Sequence, residues 1–265
     1  MTRNIALLSD FGLEQHYVGV MKGVILKINP DAGIIDISHG LDNHNLLQAA
    51  FMLQNSFNYF PAGCVFLVVV DPGVGSRRKA IAVRTRHYYF VGPDNGVLSL
   101  AAKKDTLKNA VSLKREDYFL KSVSATFHGR DIFAPVAAYL SKGVPMDSFG
   151  PPVSQIKKVD FPSVKATKNL IKGNVIYADK FGNLVTNIKN IQLERRLKKS
   201  SGIEARLNDR IIEDIYVSYF RAKKESPFFV MGSSGYLEIS LKADSAKDFF
   251  NYLRGSFPII TVRIT

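Results

Sequence analysis

The residues with the clearest chemical potential lie in the segment CVFLVVVDPGVGSRR, from Cys64 to Arg78. Its first part is almost entirely large and apolar or β-branched, which is typical of a strand buried on both faces of a parallel sheet. The apolar run ends at Asp71, and the proline and glycines that follow predict a tight turn. Arg77 and Arg78 close the segment. It therefore predicts a carboxylate and a guanidinium at the carboxyl end of a strand, where open α/β sheets bind ligands.

Several interpretations of this strand end are compatible with the residues. Asp71, Arg78 and His128 could orient a water molecule, which is a poor nucleophile with a pKa of about 15.7 until it is activated. The glycines and arginines could instead cradle an anion, although the GxxxxGK[ST] pattern is absent and the leading Asp71 opposes an anion. A purely structural aspartate that caps the turn and pairs with an arginine remains open as well.

A metal site is another chemical possibility. Asp10, His39, Asp42 and His44 carry side chains that bind metals, but they lack a ligand spacing such as HExxH. The two histidines are equally compatible with loop positions satisfied by backbone carbonyls.

The elements that would position these residues alternate between strand and helix. Their predicted order is strand Asn4–Asp10, helix His16–Ile28, buried strand Gly33–Ser38, helix Leu46–Phe57 and the strand that ends before Asp71. This order predicts a mainly parallel sheet with flanking helices and right-handed crossovers. The strand ends then share one edge, where Asp10, His39 and Asp71 can converge.

The next segment adds further polar groups to the same edge. Two strands with a turn at Thr85–His87 lead to the loop Gly92–Gly96, whose tip carries Asp94 and Asn95. After a weaker helix and a short strand, His128 precedes a helix whose first turn contains Asp131, a favourable position for an acid.

A change of composition near Pro162 indicates a domain boundary. The segment Phe149–Pro162 is rich in proline, as linkers are, and the chain beyond it alternates like β-structure. The predicted strands are LIKGNVIYAD, IEARLN, FFVMG, YLEISL and PIITVRI. We expect an α/β domain at residues 1–162 and a smaller all-β domain at residues 163–265.

Composition bears on several classes of protein. No apolar run approaches the ~20 residues that span a bilayer, and the N-terminus lacks a signal-peptide cleavage site. The single cysteine, Cys64, excludes an internal disulfide and fits a reducing cytoplasm. The net charge of +13 is compatible with nucleic-acid binding, but the basic clusters Arg195–Ser200 and Arg221–Lys224 lie in no recognisable motif. Exposed helix or loop faces explain them, so no nucleic-acid partner is expected.

Seven motifs in order resemble one family. They are SDFG (Ser9–Gly12), YVGVMKG (Tyr17–Gly23), VVDPGVGSRR (Val69–Arg78), GPDNG (Gly92–Gly96), TFHGRDIF (Thr126–Phe133), DKFGN (Asp179–Asn183) and GSSGYLEIS (Gly232–Ser240). The chain resembles the S-adenosyl-L-methionine (SAM) hydroxide adenosyltransferases, which are adenosine-forming SAM hydrolases related to SAM-dependent fluorinase and chlorinase. The resemblance covers nearly the whole chain.

This resemblance implies an architecture and a set of catalytic residues. It implies an N-terminal α/β catalytic domain, a C-terminal β-barrel-like substrate-binding domain and a homotrimer with SAM between adjacent subunits. It also implies that Asp71, Arg78 and His128 prepare a water molecule. SAM would then be the small-molecule partner, and the absence of a long apolar run gives no reason to expect a membrane partner.

The resemblance further implies a set of substrate-binding residues. Asp10 would hold the ribose hydroxyls, Asp179 the methionine ammonium and Asn183 the adenine edge. The remaining positions implied for substrate binding are Asn95, Thr126, Phe127 and, for the methionine carboxylate, Ser233 and Ser234.

The chemistry of SAM agrees with such a site. Methionine leaves the sulfonium as a neutral thioether, so the reaction needs an aligned nucleophile rather than a general acid, and alignment is worth about 7–11 kcal/mol. No metal or redox cofactor is expected. Halogenases of the family depart from the pair His128–Gly129, which favours water over halide here. The alternatives are a SAM-dependent halogenase and a non-catalytic protein that binds SAM or adenosine.

Overall fold

A computed structural model describes residues 3–198, 202–222 and 226–264. The chain forms two compact units, residues 1–160 and 161–265. Of the basic clusters, Lys199, Ser200, Lys223 and Lys224 lie outside the described residues. Within the described ranges, every helix is too short or too polar to cross a membrane.

The first unit combines a sheet of six described strands with helices on both faces. Its elements are β1 (Ile5–Ser9), α1 (Tyr17–Ile28), β2 (Ile34–Ser38), α2 (Leu46–Ser56), β3 (Val65–Val69), β4 (Ala80–Arg84), β5 (Tyr89–Pro93), α3 (Ser99–Lys104), β6 (Asn109–Ser112) and α4 (Ala134–Ser141). The strand order is β2-β1-β3-β5-β4-β6. Neighbours from β2 to β5 are parallel, whereas β4 is antiparallel to both β5 and β6. The predicted mainly parallel sheet is confirmed.

The alternation of side chains along β1 and β3 explains why both faces are covered. Ile5 and Leu67 belong to the core beneath α1 and α4, whereas Leu8 and Phe66 belong to the core beneath α2 and α3. Successive side chains of a strand point to opposite faces, so a wholly apolar strand requires a layer of helices on each side. Because β1 and β3 pair in parallel register, Asp10 and Asp71 follow neighbouring strands at the same edge.

The prediction that the second strand is buried is wrong. β2 lies at the edge of the sheet, and Ile35 is 40% exposed. An edge strand can be as apolar in sequence as a central strand. The sequence therefore does not show how many neighbouring strands β2 has. Asp36 occupies the same strand and pairs with Lys22, which is typical of an edge that meets solvent.

The second unit is built on one strongly curved sheet. Its elements are β7 (Lys165–Ala166), β8 (Leu170–Ala178), β9 (Leu184–Lys189), α5 (Asn190–Leu197), β10 (Ile203–Leu207), β11 (Arg210–Ile212), β12 (Asp214–Tyr216), β13 (Phe228–Met231), β14 (Tyr236–Ser240), α6 (Ala246–Phe249) and β15 (Ile259–Ile264). The described strands follow the order β11-β10-β15-β8-β9-β14-β13-β12, with β7 on β8. β12, at one end, approaches β10 near the other, so the sheet is nearly closed and barrel-like. The predicted fold class is confirmed, although the sequence analysis did not anticipate α5.

Candidate active site

The side chain of Arg78 folds back onto Asp71 at the end of β3. The Nε of Arg78 lies 2.9 Å from Oδ1 of Asp71, and its Nη2 donates to Oδ2. Both side chains are only 6% exposed. Two parallel hydrogen bonds from a planar guanidinium to a carboxylate fix both groups in one plane, and a point charge such as lysine cannot reproduce this geometry. The prediction of a carboxylate beside a guanidinium at this strand end is confirmed as a direct contact.

Some of the backbone amides in the turn between the two residues donate within the turn itself. Three amides donate inside it: Val74 to the Asp71 carbonyl, Ser76 to the Gly73 carbonyl and Arg78 to the Ser76 hydroxyl. A phosphate cradle needs such amides free and pointing at the ligand. These contacts and the pairing of Arg78 with Asp71 argue against the anion-cradle interpretation, because they leave an anion fewer amide donors and a guanidinium that is already neutralised.

Gly75 allows this turn to approach the segment that leads to His128. Its φ is +76°, and a Cβ built there would lie 2.5 Å from the carbonyl oxygen of Ala125. Only glycine combines a positive φ with so close a backbone contact. The turn that carries Arg78 and the segment that carries His128 are therefore packed backbone against backbone.

His128 completes a connected group of three side chains. Its Nδ1 lies 2.7 Å from Nη2 of Arg78. A guanidinium only donates, so Nδ1 must accept, and the neutral ring then carries its proton on Nε2. Burial, followed by the nearby charge of Arg78, lowers the pKa of His128, and this favours the same neutral form.

A cavity of about 340 Å³ opens beside these groups, within the first unit. This volume lies at the lower end of the range for small-molecule sites. The polar and aromatic side chains that line it are Asp10, Asn43, His44, Asp71, Thr126, His128, Phe11, Tyr17 and Phe127. Six of the predicted site residues thus meet at the edge of the sheet or immediately beside it: Asp10, Asp71, Arg78, Thr126, Phe127 and His128.

Asp10 lies at the mouth of this cavity and is held by the loop before α2. Its Oδ2 accepts a hydrogen bond from the amide of His44 at 2.8 Å. His44 has a φ of +62°, which is uncommon for a residue with a side chain and marks local strain. From the sequence, His44 was interpreted either as a metal ligand or as a loop histidine satisfied by backbone carbonyls. The hydrogen bond from the His44 amide to Asp10 depends on this positive φ, which the sequence does not predict.

Two side chains of the metal interpretation, those of His39 and Asp10, are held by other contacts. His39 is buried, with Nδ1 2.7 Å from the hydroxyl of Ser9, and its other ring nitrogen lies 3.1 Å from a carboxylate oxygen of Asp36. Asp10 instead accepts the amide of His44. Among the described residues, no three histidine, cysteine or acidic side chains are grouped as a metal ion requires.

Asn95 lies outside the lining of the cavity. Its Nδ2 donates to the carbonyl of Val70 at 2.9 Å, and its Oδ1 accepts the amide of Val97 at 3.2 Å. Both ends of the amide are therefore engaged with backbone. The structure thus places Asn95 against the end of β3, where it binds the carbonyl of the residue that precedes Asp71.

Three aromatic rings form part of the cavity wall. The ring of Phe127 meets those of Phe11 and Tyr17 edge to face, with centroids 5.8 and 5.3 Å apart. Such contacts are favourable for aromatic pairs. Phe127 is one of the substrate-binding residues that the family resemblance implies. Phe11 follows β1 and Tyr17 begins α1, and only their presence in the motifs SDFG and YVGVMKG pointed to them.

Two family models match the chain in sequence order. Residues 5–150 match the SAM hydroxide adenosyltransferase N-terminal domain, and residues 173–256 match the corresponding C-terminal domain. The chain belongs to the SAM hydroxide adenosyltransferase family.

Individual relatives of this adenosyltransferase chain agree with that assignment. An (R)-S-adenosyl-L-methionine hydrolase of Methanocaldococcus jannaschii is 36% identical, over 93% of this chain and 91% of its own. A protein of the same name from Thermus thermophilus is 34% identical, over 96% and 97%. The crystal structure of an uncharacterized conserved protein from Thermotoga maritima has a TM-score of 0.89 and 35% identity, and the match covers 98% of this chain and 99% of that one. Fluorinases match at lower identity, 23 to 26%.

In the second unit of this adenosyltransferase, Asp179 and Asn183 are bound to each other. Oδ1 of Asp179 accepts the amides of Phe181 and Asn183, and its Oδ2 accepts Nδ2 of Asn183 at 2.9 Å. These bonds close the tight turn between β8 and β9. Ser233 and Ser234 are exposed in the turn between β13 and β14.

A buried acid near these turns was missed by the sequence analysis. Glu238, on β14, is only 7% exposed, and its Oε2 accepts the hydroxyl of Tyr219 at 2.6 Å. Burial, together with the charge of Asp179, raises the pKa of Glu238. Burial and the charges of Glu238 and Asp179 also raise the pKa of Tyr177 to about 12. The letters YLEIS predict a strand, but nothing in them shows that the glutamate points inward.

Proposed function

We propose that this enzyme hydrolyses SAM to adenosine and L-methionine. The observation that carries the proposal is the contact of Asp71, Arg78 and His128 beside a cavity of small-molecule size. Membership of the SAM hydroxide adenosyltransferase family and similarity to proteins named SAM hydrolase support the same reaction.

In the proposed reaction, a water oxygen attacks C5′ of the ribose on the side opposite the sulfur. The new O–C5′ bond forms as the C5′–S bond breaks, and the electron pair of that bond leaves on sulfur. Methionine departs as a neutral thioether, so the leaving group needs no proton. The water proton passes to the Asp71 carboxylate, which lines the cavity and is the acceptor left in this group, because Arg78 only donates and the Nδ1 of His128 already accepts from Arg78.

Each of the three side chains has a role that follows from its contacts. Arg78 stabilises the hydroxide character that develops on the water, because it is a permanent cation. Asp71 fixes Arg78 through two hydrogen bonds. The Nδ1 of His128 is engaged by Arg78, which leaves Nε2–H to donate to the water oxygen and aim its lone pair. Alignment of this kind supplies a large part of the rate in substitution reactions.

The remaining residues of the proposal bind the substrate. Asp10 holds the ribose hydroxyls beside Thr126 and Phe127, and Asn95 supports the strand end behind them. In residues 163–265, the proposed substrate-binding domain, Asp179 and Asn183 recognise the methionine ammonium and the adenine edge, with Ser233 and Ser234 at the methionine carboxylate. Residues 1–162 form the proposed catalytic domain.

The proposal extends to the setting in which the enzyme works. The active form is a homotrimer with SAM between adjacent subunits, it is located in the cytoplasm, and it uses no cofactor because the sulfonium is already an activated leaving group. Sedimentation of the purified protein with and without SAM tests the trimer.

The deciding experiment compares two neighbouring arginines. Wild type, Arg78→Lys and Arg77→Lys are incubated with SAM in the presence of chloride, and the products are separated by chromatography. We expect adenosine and methionine from wild type and from the exposed control Arg77→Lys, and about 100-fold less from Arg78→Lys because a lysine cannot form the paired contact. SAM that is bound without turnover by wild type would favour a non-catalytic binding protein. A 5′-chloro nucleoside would favour a halogenase.

A further inference from the structure

Two charged residues that the proposed reaction does not use lie directly after His128. Asp131 is fully buried, and Arg130 donates to it through Nε at 2.6 Å and Nη2 at 3.0 Å. A second donor to the same carboxylate, 2.8 Å away, is the amide of Ser124. A buried carboxylate is costly unless it is paired in this way. The fold thus accepts a buried charge within three residues of His128.

The backbone at this point is a π-helical turn. Residues Gly129–Phe133 form the turn that precedes α4, and His128 is the residue at its start. Single π-helical turns are rare and are found frequently at functional sites, because the wider turn changes the direction of the side chains around it. Here it presents the imidazole of His128 toward Arg78 and turns the carboxylate of Asp131 inward.

Asp131 ties this turn to the segment before it through backbone and side chain together. Its amide donates to the carbonyl of Phe127 at 3.1 Å, and its carbonyl accepts the amide of Leu120 at 2.9 Å. Its carboxylate accepts the amide of Ser124. The guanidinium of Arg130 lies over the ring of Phe127, 5.1 Å from its centroid. The ion pair therefore holds both the loop and the aromatic residue that immediately precede His128.

We propose that the Arg130–Asp131 ion pair is the positioning element for His128, clamping residues 120–127 onto the π-helical turn so that Nδ1 stays in contact with Arg78. Its effect on catalysis rests on the proposed function. Its effect on the geometry of His128 does not. The charges that act on the pKa of His128 include those of Arg78, Asp71 and Asp131, so titration of the imidazole reports on this geometry.

The test is a double-mutant cycle read by NMR titration of His128, with the signal assigned from His128→Gln. In the wild-type background, Arg78→Gln raises the pKa of His128, because the charge of Arg78 lowers it. In the Asp131→Asn background we expect this increase to be smaller by about half or more, since the imidazole has moved away from Arg78. Asp117→Asn, which breaks the exposed Arg115–Asp117 pair, is the control and leaves the increase unchanged.

Kinetics provide the second readout. Asp131→Asn lowers kcat by about 10- to 100-fold with KM little changed, because a displacement near 1 Å has effects of that size. Arg130→Lys keeps the positive charge but loses the paired hydrogen bonds from Nε and Nη2 to Asp131, and we expect a smaller loss of kcat. This variant replaces Asp131→Asn in the test if Asp131→Asn does not fold.

Two results would overturn the proposal: an undiminished effect of Arg78→Gln in the Asp131→Asn background, or a normal kcat in a variant that is merely less stable. A wild type that forms no adenosine rejects the proposed function, and the NMR cycle then decides the positioning role alone.

Discussion

The side-chain amide of Asn95 lies 2.9 Å from the carbonyl oxygen of Val70, the residue immediately before Asp71. Parallel strands lose their neighbours at this edge, so the last carbonyl of the β3 segment has no ladder partner of its own. Asn95 provides one from the loop after β5, and in doing so it fixes the backbone from which the Asp71 carboxylate projects. A residue that the family resemblance implies for substrate binding thus also supports the strand end that carries Asp71.

Replacing Asn95 with alanine should therefore affect both stability and rate. We expect a loss of about 1–3 kcal/mol in the free energy of unfolding, because a buried carbonyl loses its donor, and a lower kcat at nearly constant KM. Urea unfolding and adenosine formation measure the two effects. Asn109→Ala, at an exposed position on β6, is the control and should change neither; equal effects of the two substitutions would contradict the assignment.

The Asp71–Arg78 pair should behave as a buried unit. Arg78→Gln leaves Asp71 without its cation, and we expect a destabilisation of about 3–5 kcal/mol. The double variant Asp71→Asn with Arg78→Gln should recover part of this loss, because no uncompensated charge remains. Thermal or urea unfolding of wild type and the two variants is the measurement, and a double variant no more stable than Arg78→Gln would be inconsistent with a buried ion pair.

His128 should make stability depend on pH in a defined direction. Its pKa in the folded protein lies below the ordinary value of about 6.5, so the unfolded chain binds the proton more readily. Stability attributable to this residue therefore rises with pH from the folded pKa up to about 6.5 and is constant above it. The difference in unfolding free energy between wild type and His128→Gln, measured from pH 5 to 8, isolates this contribution; a difference that falls with pH would contradict it.

The predicted hydrolytic activity should follow the same titration. The neutral imidazole is the form whose Nδ1 accepts from Arg78, so kcat should stay high below pH 6.5 and fall only as the lowered pKa of His128 is approached. Initial rates of adenosine formation between about pH 4.5 and 8 test this, with the NMR pKa of His128 as the independent reference.

Gly129 has little room for a side chain. A Cβ there would lie 3.1 Å from the sulfur of Met21 and 3.2 Å from side-chain carbons of Phe127 and Val69. Gly129→Ala should cost about 1–3 kcal/mol of stability through overpacking and should displace His128, lowering kcat. Gly19→Ala is a matched control, because no atom lies within 4 Å of a Cβ built there on α1. We expect it to gain about 0.5–1 kcal/mol, as alanine is the better helix former.

The buried Glu238 should destabilise the fold at high pH. Burial raises its pKa above the ordinary value near 4.5, so its favourable contribution is complete below that value and is lost as pH rises through the folded pKa. Glu238→Gln should therefore be more stable relative to wild type at pH 8 than at pH 4, with Tyr219 still able to donate to the amide oxygen. A pH-independent difference would argue that Glu238 is not held in a low-dielectric position.

The sequence was most informative where local pattern and chemistry coincide. The apolar run before Asp71 predicted a central strand, because a strand that is buried on both faces contains few polar residues. The proline and glycines after it predicted the turn that brings Arg78 back to Asp71. The link from Arg78 to His128 crosses 50 positions of the chain. The residues alone made it one possibility among several, and the resemblance of the motifs selected it.

Three features that sequence reasoning missed depend on non-local contacts. The exposure of Ile35 depends on β2 having a neighbour on one side only, and the inward direction of Glu238 depends on the curvature of the second sheet. The contact of His44 with Asp10 depends on a strained backbone conformation. None of these leaves a periodic signal, because each is decided by tertiary neighbours rather than by adjacent residues.

The pairing of Arg78 with Asp71 has a consequence for how the reaction responds to its medium. The guanidinium is balanced by a carboxylate in direct contact, and the imidazole beside them is uncharged, so this wall of the cavity is electrically neutral. Because this wall carries no net charge and is screened from solvent, dissolved ions have little electrostatic interaction to weaken there. The chemical step should therefore proceed at nearly the same speed in dilute buffer and in concentrated salt.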